Sequence, residues 1–96
     1  MRLSDAEIER ELAQVAGWSR TGDAIERSVR FLEFMDGIRF VARVAELAEA
    51  ADHHPDLQIS YTKVTVIWST HSEGGVTEKD FAGARQSDKI AASFRA

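Results

Sequence analysis

Three histidines carry the chemistry this sequence offers, and they lie close together in the chain at His53, His54 and His71. Imidazole is the side chain whose ordinary titration falls near neutral pH, which suits it to general acid or base work. His53 and His54 stand directly before Pro55, the sole proline. A proline drives the residue before it out of the α region. In a continuing helix two neighbours would diverge by about 100°; the forced change at His54 can turn both rings toward one space. His71 closes a β-rich run, next to the Gly74-Gly75 loop. One hairpin returns the chain from Pro55 to His71, so the groups can meet at one end of a sheet. Glu49 lies four residues before His53, which in a helix places the two on one face. A carboxylate there, with the negative end of the helix dipole, would favour the charged imidazole, and burial would oppose it. A protonated imidazole of this kind can donate to a leaving hydroxyl.

Blander roles compete for each of these residues. A single histidine is more often a surface or capping group than a catalyst, and it is the gathering of three that favours chemistry. Glu49 can be a solvated helix residue. Asp80 occupies the third position after Thr77, where an acid stabilises a helix N-terminus. Trp18 and Trp68 fit a core better than a ligand platform, and Tyr61 fits either. Three histidines with Asp52, Asp56 or Glu49 are of the residue types that ligate zinc or iron. Adjacent histidines rarely share one ion, however, and the spacing matches no common structural zinc pattern. No metal is therefore expected.

The elements that must position these groups are legible in the pattern. Ser4-Asp5-Ala6-Glu7 is a capping box with Leu3 and Ile8 as a hydrophobic staple. Ile8, Leu12 and Val15 recur at helical spacing up to Gly17, predicting a helix from about Asp5 to Ala16. Trp18 to Phe31 reads as a hairpin turning at Thr21-Gly22-Asp23, with Ile25, Val29 and Phe31 alternating with Glu26, Ser28 and Arg30. Arg27 falls on the apolar side, which predicts an edge or partly open strand. From Phe34 to Ala51 the period is helical: Phe34, Ile38, Val41, Ala45 and Ala48 form one row, flanked by Phe40, Val44, Leu47 and Ala51. So wide a stripe predicts burial on more than one side. Leu57–Tyr61 and Lys63–Thr70 are β-rich. Thr77 caps a last helix whose buried row is Phe81, Ala84, Ala91 and Phe94. The order α-β-β-α-β-β-α, with strands joined in hairpins, predicts an α+β fold: a four-stranded antiparallel sheet with three helices on one face.

The 96 residues suit a single domain, 1–96, and leave no room for a second core. With 44% hydrophobic and 29% charged residues the chain is too apolar to be disordered. Its formal net charge of −4 disfavours a nucleic-acid surface, which needs a basic face. No apolar run approaches the roughly 20 residues that cross a bilayer, and Met1 to Glu11 lacks the apolar core of a secretory signal. A cytoplasmic protein is expected. The absence of cysteine excludes disulfides and thiolate metal sites. So small a core, with so broad a helix stripe, points to a homodimer or homotetramer.

The run Glu49-Ala-Ala-Asp52-His53-His54-Pro55-Asp56, followed by Tyr61-x-x-Val64, Ser69-Thr70-His71 and Gly74-Gly-Val-Thr77-Glu-Lys-Asp80, resembles the pterin-4a-carbinolamine dehydratase family. The likeness covers about half the chain without a gap, and the spacing from His-His-Pro to Thr-His is its most specific part. It implies a hydro-lyase that needs neither metal nor organic cofactor. The substrate would be the 4a-hydroxytetrahydropterin, such as the biopterin form, left by an aromatic amino acid hydroxylase. By this analogy His53 and His71 provide acid–base chemistry and Glu49 orients His53. His54 mainly binds substrate, and Asp80 supports the pocket. Asp52, Thr70 and Trp18 complete the candidate substrate-binding set. Within that set His53, with its expected carboxylate, fits the protonated partner and His71 the neutral one. Members of the family also resemble a dimerisation cofactor of a homeodomain transcription factor, and others look like assembly factors lacking some of the histidines. The alternative reading is therefore a protein-interaction module on the same fold; the full set of three histidines favours the enzyme.

Overall fold

A computed structural model of the chain describes residues 1–94. Its order is α1 (Asp5–Leu12), β1 (Ser19–Thr21), β2 (Ala24–Arg30), α2 (Phe34–Ala51), β3 (Asp56–Ser60), β4 (Lys63–Trp68) and α3 (Glu78–Ala92), with a 3₁₀ turn at His71–Glu73. The sheet is antiparallel throughout, with strands in the order β1-β2-β4-β3. The α+β architecture expected from the sequence is the one observed.

Register follows the alternation of side chains. Ile25 pairs with Trp68, Arg27 with Val66 and Val29 with Val64, so these residues share the face under the helices. Leu57 and Ile59 join them from β3, opposite Val66 and Val64. On the other face Glu26, Ser28 and Arg30 lie opposite Ile67, Thr65 and Lys63, and the Ser28 and Thr65 hydroxyls are 2.8 Å apart. The core is closed by Ile8 of α1, by Phe40, Val44 and Ala48 of α2, and by Phe81, Ala84 and Ala91 of α3.

The sequence reading departs from the structure in several places. Regular helix α1 stops at Leu12, not near Ala16, because the chain tightens into i→i−3 bonds from Gln14 to Glu11 and Val15 to Leu12. It still buries Val15 and turns at Gly17, where φ is +89°. β2 is a central strand, not an edge. Arg27 is tolerated on its apolar side because Asp88 of α3 accepts from its Nη1 at 2.6 Å. β4 ends at Trp68; Thr70 forms only an isolated bridge to Gly75, and His71 opens the 3₁₀ turn instead of closing the strand. On α2 the buried row is Gly37, Phe40, Val44 and Ala48, while Phe34, Ala45 and Ala51 are exposed. Three of the nine stripe residues therefore face outward in the single chain.

Candidate active site

The end of α2 decides where the two adjacent histidines go. The helix stops at Ala51 because Asp52 adopts a left-handed conformation, φ 50° and ψ 43°. The His53 amide then donates back to the Ala48 carbonyl at 3.1 Å, the six-to-one bond of a Schellman ending. Helix geometry therefore no longer applies at His53, and the expected Glu49–His53 pair does not form. Glu49 Oε1 lies 2.5 Å from Nε2 of His54, and that pair is exposed. Asp52 is the exposed cap residue that makes this turn.

His53 instead turns inward to α3. Its Nε2 lies 2.7 Å from Oδ1 of Asp80, a carboxylate with 0% exposure. The other oxygen, Oδ2, accepts from the Thr70 hydroxyl at 2.8 Å and the Thr77 amide at 2.9 Å. Asp80 is also the acid of the α3 capping box, in which the Thr77 hydroxyl accepts from the Lys79 amide at 3.2 Å. A carboxylate this deep is sustained only because its acceptor positions are met by donors. Among the described residues no fully buried side-chain nitrogen or oxygen lacks a partner.

One flat side of the His53 ring rests on Trp68, with ring centres 5.4 Å apart and planes 20° apart. Trp68 is anchored in turn: its Nε1 donates to Ser87 Oγ, which donates to the Gly83 carbonyl. Beside this stack a cavity of about 170 Å³ is lined by Leu47, Ala51, His53, Trp68, Lys79, Ala82, Gly83 and Gln86. Drug-sized ligands occupy roughly 300–1,000 Å³, so this cleft has room for only part of such a molecule. A larger cavity of about 410 Å³ touches Thr70, Thr77 and Lys79 but contains no histidine.

Of the residues singled out from sequence, His53, Asp80 and Thr70 form one bonded cluster. His54 and His71 are exposed and do not line the His53 cavity. They belong to the same end of the sheet, because Asp56 at the start of β3 pairs with Ile67 near the end of β4. Trp18 does not line the His53 cavity. It is buried, and both Asp88 oxygens accept from its Nε1, at 3.0 and 3.1 Å. Tyr61 lies at the β3–β4 turn with φ +60°. Sequence reasoning missed Thr77 as a bonding partner of the site, and Gly83, Lys79 and Gln86 as cavity walls. A glycine in mid-helix was the one available signal, since it costs about 1 kcal/mol against alanine and so implies close packing. Among the described residues no three His, Cys, Asp or Glu side chains group as metal ligands.

An inward imidazole on a buried carboxylate, beside an apolar slot backed by indole, is chemically able to give or take a proton next to an apolar surface. Residues 1–90 match the profile of the family described as Pterin 4 alpha carbinolamine dehydratase. The chain belongs to that family. A protein of Mycobacterium sp. (strain KMS), provisionally named a pterin-4-alpha-carbinolamine dehydratase, is 51% identical over 88 residues, covering 92% of this chain and 94% of its own. A similarly named protein of Picosynechococcus sp. (strain ATCC 27264 / PCC 7002 / PR-6) is 48% identical over 89 residues, covering 93% and 97%. The crystal structure of a transcriptional coactivator/pterin dehydratase from Brucella Melitensis superposes with a TM-score of 0.91 at 40% identity, covering 95% of this chain and 99% of that one. A pterin dehydratase-like protein identified as a RuBisCO assembly factor in the alpha-carboxysome shares the fold, with a TM-score of 0.63 at 20% identity over 77% and 86% of the two chains.

Proposed function

We propose that this chain dehydrates a 4a-hydroxytetrahydropterin by histidine acid–base catalysis, as a hydro-lyase of pterin recycling. The C4a–O bond breaks, the hydroxide leaves as water with a proton from an imidazole, and N5 gives up its proton as the C4a–N5 double bond forms. The product is the quinonoid dihydropterin. The ring nitrogen already pushes the hydroxide out, so the protein has to supply positioning and two proton transfers. The observation that carries this reading is the His53–Asp80 pair at the mouth of the Trp68-backed slot. His53 and His71 exchange the protons. His54, held by Glu49 on the exposed rim, contacts the part of the pterin outside the slot. No organic cofactor enters this scheme.

We also propose that copies of the chain assemble, in the cytoplasm; the exposed apolar side chains support the assembly. Leu32 is 91% exposed, Tyr61 86%, and Phe34, Met35 and Ile59 are also open. Among the described residues no helix is long and apolar enough to cross a membrane.

A stopped-flow dehydration assay on the purified protein tests the activity. His53→Ala and His71→Ala should each lower kcat by at least about tenfold, with His54→Ala acting more on KM. A wild-type protein that leaves the spontaneous rate unchanged would make the chain an interaction module and end this reading.

A further inference from the structure

The α3 capping box does more than start a helix. Thr70 Oγ1 donates to Asp80 Oδ2, so the single hydrogen of Thr70 is committed. The Thr77 hydroxyl, 2.7 Å from Thr70 Oγ1, must therefore donate to Thr70 while accepting from the Lys79 amide. Every hydrogen in the chain Lys79 N–H, Thr77 O–H, Thr70 O–H points toward Asp80, and the Thr77 amide points there too. Oδ2 has two donors aimed at it and none of the surrounding groups is free to accept. The network thus holds Asp80 as a carboxylate whose Oδ2 is fully occupied by donors, and the remaining oxygen of a carboxylate, Oδ1, accepts as well, so the atom facing it is a donor. That atom is Nε2 of His53.

We propose that the capping box of α3 sets the tautomer of His53: the proton sits on Nε2, and Nδ1 is the atom that exchanges protons with the substrate. Nδ1 has no partner among the described residues, and no fully buried side-chain nitrogen in them lacks one, so Nδ1 lies where solvent or substrate reaches it. Thr77, Thr70 and Asp80 are positioning residues in this scheme, since each acts through His53. The inference deepens the proposed function and rests on it only for the statement that the transferred proton is the substrate's.

Asp80→Asn is the discriminating variant because the network dictates how the amide must lie. The Thr77 amide and the Thr70 hydroxyl both donate to the Oδ2 position, so the amide oxygen takes that place. The NH₂ group then falls at the Oδ1 position and donates to His53. Nε2 becomes an acceptor, and the ring proton moves to Nδ1, the side that must be open. Volume is conserved, but the reactive nitrogen is blocked by its own hydrogen.

Histidine side-chain ¹⁵N spectra, taken where the imidazole is neutral, read the tautomer directly and need no activity. Wild type should show His53 protonated on Nε2; Asp80→Asn should show it protonated on Nδ1. Dehydration by Asp80→Asn should fall by about 10²-fold or more in kcat with KM little changed. Should Asp80→Asn fail to fold, the wild-type spectrum decides by itself: opposite a carboxylate oxygen that only accepts, neutral His53 has to carry its proton on Nε2. A wild-type His53 carrying its neutral-state proton on Nδ1, or an Asp80→Asn spectrum unchanged from wild type, overturns the proposal. Tautomers that behave as stated while His53→Ala retains full activity would refute the proposed function, and with it the role of Nδ1 toward substrate, and leave the tautomer assignment standing.

Discussion

Gly83→Ala tests how closely α3 and β4 are fitted around the site. Gly83 lies in mid-helix, where alanine is intrinsically better by about 1 kcal/mol. On propensity alone the variant would be more stable. Its new Cβ, however, would stand 2.6, 2.7 and 2.8 Å from Cε2, Cδ2 and Cζ2 of Trp68. Carbon atoms in contact prefer about 3.5–4.0 Å, so the overlap is near 1 Å against a rigid ring. The indole cannot yield cheaply: it is fully buried, its Nε1 is bonded to Ser87, and His53 lies stacked on its face. Overpacking typically costs about 1–3 kcal/mol, and these restraints place this site at the upper end. Subtracting the propensity gain leaves a net loss of about 2 kcal/mol. In a chain of this size that lowers Tm by roughly 8–16 °C. Movement of Trp68 also shifts His53 relative to Asp80, so kcat should fall with stability. Thermal unfolding followed by circular dichroism, with the dehydration assay alongside, measures both. A variant as stable as the parent with unchanged kcat would show that the close approach of helix and indole is not what positions His53.

Other consequences follow from the same geometry. Asp88→Ala removes the acceptor of both Arg27 and the Trp18 indole, leaving two half-buried or buried donors without a partner. It should cost about 2 kcal/mol by urea unfolding, after allowance for the solvent that reaches Arg27; a change below about 0.5 kcal/mol would mean the clamp is idle. The Glu7 carboxyl is held below its ordinary value, first by the Ser4 amide and then by the Ser4 hydroxyl. A depressed folded-state value means that this stabilisation is present above the unfolded pKa and is lost as pH falls through the folded one. Acid titration should therefore loosen α1 in the acid range below the ordinary carboxylate value, and Glu7→Gln should flatten that part of the stability profile. The open apolar residues Leu32, Phe34, Met35, Ile59 and Tyr61 should bring copies of the chain together. Light scattering at micromolar concentration should give a multiple of 10.7 kDa, and a monomer would contradict it.

The order of elements was legible in the sequence because each is specified by local physics. The Ser4 and Thr77 caps, the two-residue alternation of β2 and β4 and the helical stripe of α2 need only neighbours in the chain to be read. His53 and Asp80 could be marked as candidates too, from residue type and from the resemblance to the family. Their partnership was not legible. Glu49 and His53 are four apart and would meet in any helix that continued, but the left-handed Asp52 ends it two residues early. That leaves His53 free to bond across 27 residues to Asp80 and hands Glu49 to His54. The same holds for Arg27, whose place in a central strand depends on Asp88, 61 residues away. The packing of Trp18 in the core and of Gly83 against Trp68 likewise depends on how α3 settles on the sheet. Local rules read along one chain, and the distances that join a buried carboxylate to an imidazole exist only after the helices have packed.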